Sequence, residues 1–234
     1  WQTETGGVMI SPAPGIGLIP LKPGSATFPL PGVDADVVDD NGRPVPPGVR
    51  GYLVIKKPWP GMLMTLYKDP ERYKQTYWSR FPNVYYAGDY CMKDEEGYFW
   101  LLGRADEVLK IAGHRLGTME LESAIVSHPA IAEAAVTSSP HEIKGEAIVV
   151  FAILKQGYEP SEKLKKDLEG HLRKTVGPVA TPEQTYFVSK LPKTRSGKIM
   201  RRVLKALVSD MPVGDVTTLE DEAPIEEAKQ AYEE

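Results

Sequence analysis

Apolar and polar residues alternate along the first part of the chain and recur at helical spacing in the second, and this change of period predicts the organisation. Between about residues 25 and 103, Val33, Ala35 and Val37 alternate with acidic residues, Asp40-Asn41-Gly42 marks a tight turn, and Gly51-Tyr52-Leu53-Val54-Ile55 is a strand-like run. A second hairpin pairs Val84-Tyr85-Tyr86-Ala87 with Tyr98-Phe99-Trp100-Leu101-Leu102 across the polar turn Lys93-Asp94-Glu95-Glu96-Gly97. Prolines and glycines between positions 12 and 61 keep the strands short, so an antiparallel sheet or barrel is expected here.

The period lengthens after Gly103-Arg104-Ala105-Asp106. Residues 118–128 predict a helix, with Glu120 and Glu122 suiting the positive end of its dipole and Pro129 ending it. Residues 132–138 and 147–154 read as strands. Pro160-Ser161 then opens an amphipathic helix with Leu164, Leu168, Leu172 and Val176 on one face, closed by Gly177-Pro178. A short strand at 186–188 precedes a basic run, and a helix is expected over 199–208. Beyond Met211, Asp and Glu dominate with few large apolar residues, so residues 211–234 are expected to be a weakly ordered acidic tail. The fold class is therefore α+β: a β-rich, barrel-like unit over 1–105, a small α/β domain over 106–210, and the tail.

Composition narrows the function classes. With 41% hydrophobic residues in 234, the chain can bury a sizeable core. No apolar run approaches the roughly 18–20 residues a membrane helix needs, and no secretory signal pattern is present, so the expected setting is cytoplasmic with no membrane partner. Cys91 is alone and His114, His128, His141 and His171 are scattered, which argues against structural zinc. The formal net charge of −4 argues against general nucleic-acid binding, which usually rests on a basic footprint.

Positive charge is nevertheless concentrated in Pro192-Lys193-Thr194-Arg195-Ser196-Gly197-Lys198-Ile199-Met200-Arg201-Arg202. This places a glycine-flanked lysine, Lys198, at the head of the expected helix, where its ammonium suits phosphate or carboxylate chemistry. A P-loop would need glycine where Pro192 stands and Ser or Thr where Ile199 stands, so that reading fails. Asp89, following Gly88 at a strand end, can accept two hydrogen bonds from a diol such as a ribose; a turn-capping role would use the same residue. Arg104 offers a planar fork for ribose or phosphate oxygens, or a surface ion pair. Thr3 and Glu4, near glycines, can supply a hydroxyl to a phosphate and a hard oxygen ligand to magnesium.

Taken in order, Trp1-Gln2-Thr3-Glu4-Thr5-Gly6-Gly7, Tyr86-Ala87-Gly88-Asp89, Gly103-Arg104-Ala105-Asp106-Glu107 with Lys110 to Arg115, and the run from Pro192 to Arg202 resemble the later core motifs of the acyl-adenylate-forming superfamily. The resemblance spans positions 1 to about 210 and implies an AMP-forming ligase that joins acetate to ATP and then passes the acetyl group to CoA. It implies that Asp89 and Arg104 hold the ribose and that Thr3 and Glu4 lie around the α-phosphate, the carboxylate substrate and magnesium. It further implies that Arg115 meets phosphate during adenylation and that Lys198 bridges acyl carboxylate and phosphate. Asp106 matches the hinge of a mobile C-terminal domain, the first unit then being the end of a large N-terminal domain. Gly113, on the strand after the hinge, would line the pantetheine tunnel, and Arg173 would meet the CoA phosphates. Trp1 would close the acyl pocket, favouring acetate but leaving propionate open, since one methylene discriminates by only about 1–3 kcal/mol. The implied substrates and cofactors are ATP, CoA and Mg2+, and a lysine acetyltransferase and deacetylase acting on Lys198 are implied partners.

The sequence begins inside a motif and carries neither the family's earlier phosphate loop nor its adenine-binding segment, so a portion of a longer enzyme is expected. The 234-residue chain alone should give no acetate-dependent exchange between ATP and pyrophosphate. Exchange above background by the purified chain would overturn that expectation.

Overall fold

The computed structural model describes residues 1–233. They divide into two compact units, Trp1–Asp106 and Glu107–Glu234.

The first unit contains β1 (Ala35–Val38), β2 (Arg50–Ile55), α1 (Pro70–Tyr77), β3 (Tyr85–Lys93) and β4 (Phe99–Arg104). The strands form an antiparallel sheet in the order β1-β2-β3-β4. With β1 and β4 at its two edges, the sheet is open and not the barrel-like arrangement expected. Turn chemistry fixes its register. The Asp39 carboxylate accepts the amides of Asn41 at 2.8 Å and Arg43 at 2.9 Å, while Asp94 accepts those of Glu96 at 3.0 Å and Tyr98 at 2.9 Å. Inward-facing Val37, Leu53, Ile55, Tyr85, Cys91 and Phe99 build the core with Met9 and Trp59. Cys91 is fully buried, and that burial pushes its thiol pKa well above the usual range.

The sequence pattern missed α1, which lies inside the stretch read as β-rich. Its start signal is ordinary: Asp69 caps the helix by accepting the Arg72 amide at 3.2 Å, and Pro70 occupies the first turn.

The second unit comprises β5 (Leu109–Ile111), β6 (His114–Leu116), α2 (Thr118–Val126), β7 (Ile131–His141), β8 (Gly145–Leu154), α3 (Glu162–Thr175), β9 (Gln184–Phe187), α4 (Arg201–Val208) and α5 (Ala223–Glu233). Strand β8 pairs antiparallel with β7 along its length and parallel with β9, and the β5–β6 hairpin joins at its start. Helices cover both faces. Val136, Ile148, Val150 and Ala152 meet Leu121, Ile125, Leu168 and Leu172 of α2 and α3. The alternate residues Ala135, Val149 and Phe151 meet Leu204 and Val208 of α4 and Ala228 of α5. Burial on both faces explains why residues 147–154 are apolar without alternation. Helix α3 starts at Ser161, whose hydroxyl accepts the Leu164 amide at 3.2 Å, as the expected N-terminus requires.

Three expectations need correction. Over residues 211–233 the expected weakly ordered tail instead packs in part, because Leu219, Ile225 and Ala228 are buried and α5 packs on the sheet layer. Several of their sparse apolar residues are packed, which overall acidity conceals. Gly113 lies in the turn between β5 and β6 with φ +82°, not on a strand, and it follows Ala112, which also has positive φ at 48°. Helix α4 begins at Arg201 and not at the expected residue 199, and Lys198 sits in a hairpin turn ahead of it. There the Thr194 amide donates to the Lys198 carbonyl at 2.8 Å, Lys193 bridges Ile199, and Gly197 adopts φ +80°.

Leu219→Ala should lower the stability of the second unit by about 2 kcal/mol or more, the range for truncating a buried leucine. Urea unfolding of the chain checks this; an unchanged midpoint would mean that the 211–233 segment does not pack.

Candidate functional site

In the first unit, antiparallel pairing sets Asp89 of β3 opposite Arg104 of β4. Arg104 Nη1 lies 3.3 Å from Asp89 Oδ1 and donates to the Ala87 carbonyl at 3.2 Å. The chain returns close to Gly88, whose carbonyl accepts the Ala105 amide at 2.9 Å. The backbone angle at position 88 favours glycine, and the lack of a side chain leaves room for the Arg104 guanidinium. The φ of Gly88 is +74°, and a Cβ there would sit 2.6 Å from Arg104 Nη2.

The amino-terminal loop completes this cluster. Gln2 donates from Nε2 to the Ala87 carbonyl and lies 3.4 Å from Asp89 Oδ2, while Tyr85 donates its hydroxyl to Gln2 Oε1 at 3.0 Å. The Tyr77 hydroxyl donates to Glu4 Oε1 at 2.8 Å, and its ring stacks on Tyr85 with centroids 5.4 Å apart. Burial, and then the Glu4 carboxylate, push the Tyr77 phenol up to about 12, so it stays a donor across the neutral range. Thr5 supplies the hydroxyl that folds the loop, its oxygen lying 2.8 Å from the Gln2 carbonyl and 2.7 Å from the Gly7 carbonyl, either of which can accept its one proton; Thr3 is exposed. The contacts to Asp89 are long, which leaves carboxylate lone pairs for a diol. Burial raises the Asp89 pKa and Arg104 partly opposes that rise.

Asp106 closes the unit, 77% exposed on its side chain, with Oδ1 3.4 Å from Arg104 Nε. Trp1 is 82% exposed. Sequence reasoning singled out Asp89, Arg104, Glu4 and Asp106, which this unit brings together, but missed Gln2, Tyr77 and Tyr85. For Tyr77 the available signal was the Asp69-Pro70 start followed by aromatic residues four apart at Tyr73 and Tyr77.

The second unit carries the remaining candidates. Lys198 is exposed in its turn, its amide held by Thr194 Oγ1 at 3.1 Å. Arg115 is half-buried on β6, and Arg173 is exposed in the last turn of α3, where a cation suits the dipole. A Cβ at Gly113 would meet open space, so its backbone angle alone requires glycine.

Magnesium can be tested against these side chains. Among the described residues no group of three or more His, Cys, Asp and Glu could hold a metal ion. Glu4 fits the other mode of magnesium binding, one protein carboxylate alongside substrate phosphates, with Tyr77 orienting its carboxylate.

The AMP-binding enzyme model matches residues 1–67, and the AMP-binding enzyme C-terminal domain model matches residues 120–198. The chain belongs to the AMP-binding, acyl-adenylate-forming enzyme family. Over all 234 residues it is 66% identical to acetyl-coenzyme A synthetase of Pyrobaculum arsenaticum, covering 35% of that protein. It is also 55% identical to 3-hydroxypropionyl-coenzyme A synthetase of Metallosphaera sedula, covering the whole chain and 36% of that protein. The chain thus spans about a third of the length of the curated relatives it matches. Among solved structures, the anthranilate CoA ligase AuaEII in complex with anthranoyl-AMP superposes with a TM-score of 0.78 at 31% identity, covering 89% of this chain and 39% of that one.

Asp89→Asn should raise thermal stability at pH 7. The sign follows from burial. A carboxyl whose folded pKa is raised costs stability above that pKa, and the cost disappears as pH falls from the raised value towards the ordinary 3.8. Melting temperatures of both forms should therefore converge on acidification; a gap that widens would contradict the burial argument.

Proposed function

We propose that the chain is part of an AMP-forming acetate–CoA ligase, and the observation that carries this reading is Asp89 paired across the ladder with Arg104, its carboxylate still open to a ribose diol. The whole-length identity to an acetyl-coenzyme A synthetase supports acetate as the acid. In the first step an acetate oxygen attacks the α-phosphorus of ATP, the bond to pyrophosphate breaks, and acetyl-AMP forms. In the second, the CoA thiolate attacks the acetyl carbon, the bond to AMP breaks, and the thioester is released.

The carboxylate is a weak nucleophile toward a polyanion, so charge neutralisation and positioning dominate the first step. Asp89 and Arg104 hold the ribose, with Gln2 ordering the Asp89 side. Lys198 supplies a positive charge between acyl carboxylate and phosphate, and Arg115 adds a second at the phosphates. Thr3 lies by the α-phosphate, and Glu4 would hold magnesium, which when bound would offset phosphate charge. Trp1 bounds the acyl pocket. Gly113 and Arg173 serve CoA in the second step, for which the mobile second unit reorients about Asp106. The unit division at Asp106 and that residue's exposure support the hinge.

The setting is cytoplasmic, where ATP and CoA are available; among the described residues no helix is long and apolar enough to cross a membrane. Acetylation of Lys198 by a lysine acetyltransferase would abolish its charge, and the lysine's exposure supports it as a target.

Lys198→Ala in the full-length parent should slow acetate-dependent ATP–pyrophosphate exchange about 10²–10³-fold, the usual loss for one aimed charge-stabilising donor. Thioester formation from supplied acetyl-AMP should persist, and enzyme acetylated at Lys198 should show the same division. Undiminished exchange would remove the assigned role.

A further inference from the structure

The turn that carries Lys198 leaves the lysine exposed, yet the chain three residues on is among the most tightly held in the second unit. Arg201 opens α4 with Arg202 beside it, a placement opposed by the helix dipole, which disfavours cations in a first turn. A buried partner accounts for it. Glu122 of α2 is 8% exposed and accepts Arg201 Nε at Oε1 and Nη2 at Oε2, both at 2.6 Å. The same Glu122 Oε1 accepts the Val136 amide of β7 at 2.9 Å. Arg201 Nη1 also lies 3.5 Å from Oε2 of Glu107, the residue immediately after Asp106.

We propose that Glu122 and Arg201 are positioning residues for Lys198: the two-pronged contact between them fixes the start of α4 against α2 and β7, and so fixes where the lysine turn ends. Helix α2, strand β7 and the segment after Asp106 converge on one guanidinium, so a movement that begins at Glu107 is passed to the lysine turn as a rigid displacement. A lysine at position 201 would keep the charge but lose the planar fork, and the turn would gain freedom. Other contacts also seat the turn: Lys193 Nζ meets Glu133 Oε2 at 2.6 Å and Thr194 bridges Leu219 on its entering side, while Ile199 bridges Lys193 and the Met200 amide donates to the Pro192 carbonyl at 2.8 Å on its leaving side. The Glu122–Arg201 contact adds the tie from that leaving side to α2 and β7.

This inference rests on the adenylation role given to Lys198 above. Its test uses the full-length parent carrying Glu122→Gln, which preserves shape and removes charge, and separately Arg201→Lys. Both variants, with wild type and Lys198→Ala as controls, are assayed for acetate-dependent ATP–pyrophosphate exchange and for thioester formation from supplied acetyl-AMP and CoA. Each variant should lower the exchange kcat tenfold or more, with KM for ATP and the thioester step within twofold of wild type. Equal losses in both half-reactions would show a general structural role and overturn the inference, as would no loss in either. If Glu122→Gln proves insoluble, Arg201→Lys decides alone. Should Lys198→Ala itself leave exchange unchanged, the role of Lys198 fails, and the positioning claim fails with it. A slowed Lys198→Ala alongside unaffected Glu122→Gln and Arg201→Lys removes the positioning claim only.

Discussion

The pairing of β3 with β4 is the constraint on which the polar cluster of the first unit depends. It sets a carboxylate on one strand and a guanidinium on the next at the same rung, with Gly88 supplying the space in which the guanidinium lies. A one-residue slip would send every side chain of β4 to the opposite face, and Phe99 would leave the core as Arg104 left Asp89. Packing and chemistry therefore choose one register together. The amino-terminal loop depends on that register as well, because Gln2 bonds to the carbonyl of Ala87 and approaches Asp89, both on β3.

The second unit solves a different problem. Its sheet is covered on both faces by apolar layers, which supply the main burial of the unit. Buried ion pairs are in general weak stabilisers, since desolvation offsets most of the attraction, and they are better understood as fixing one geometry among several. A second polar cluster has the same character. Lys205 Nζ meets Glu146 Oε1 at 2.7 Å, and that carboxylate also accepts the Ser138 hydroxyl and the Lys110 amide, which ties α4 to β5, β7 and β8. Helix α4 is thus held by directional bonds at both ends of its polar side, beyond what its apolar face supplies.

Much of this was legible in the sequence. The β8 run, the α3 stripe and the turn chemistry near Asp40 and Asp94 each follow from short-range rules that operate within about ten residues. The clustering of Asp89, Arg104 and Glu4 was implied by resemblance and not by pattern, because strand pairing brings together residues far apart in the chain. What escaped has physical causes too. Helix α1 has no buried residue, so it carries no apolar stripe against which its period could be read. The 211–233 segment packs through a few residues, Leu219, Ile225 and Ala228, that an acidic average obscures. The sequence places Lys198 just before a helix, but the hairpin turn that holds it and delays the helix to Arg201 is not legible there, because hairpin formation at 193–199 competes locally with helix extension and is favoured by Gly197 at positive φ. Glu122 read as a dipole-facing surface acid, since nothing nearby in sequence announces that Arg201 lies across from it.

The burial of Cys91 has a practical corollary. The chain has a single cysteine, which has no exposed surface, and its thiol resists ionisation, so thiolate-seeking dyes will find almost nothing to react with in the folded protein. A cysteine introduced at an exposed position in either unit would then be labelled cleanly, without first removing a native one. These 234 residues come supplied with a silent background for fluorescence or spin-label spectroscopy.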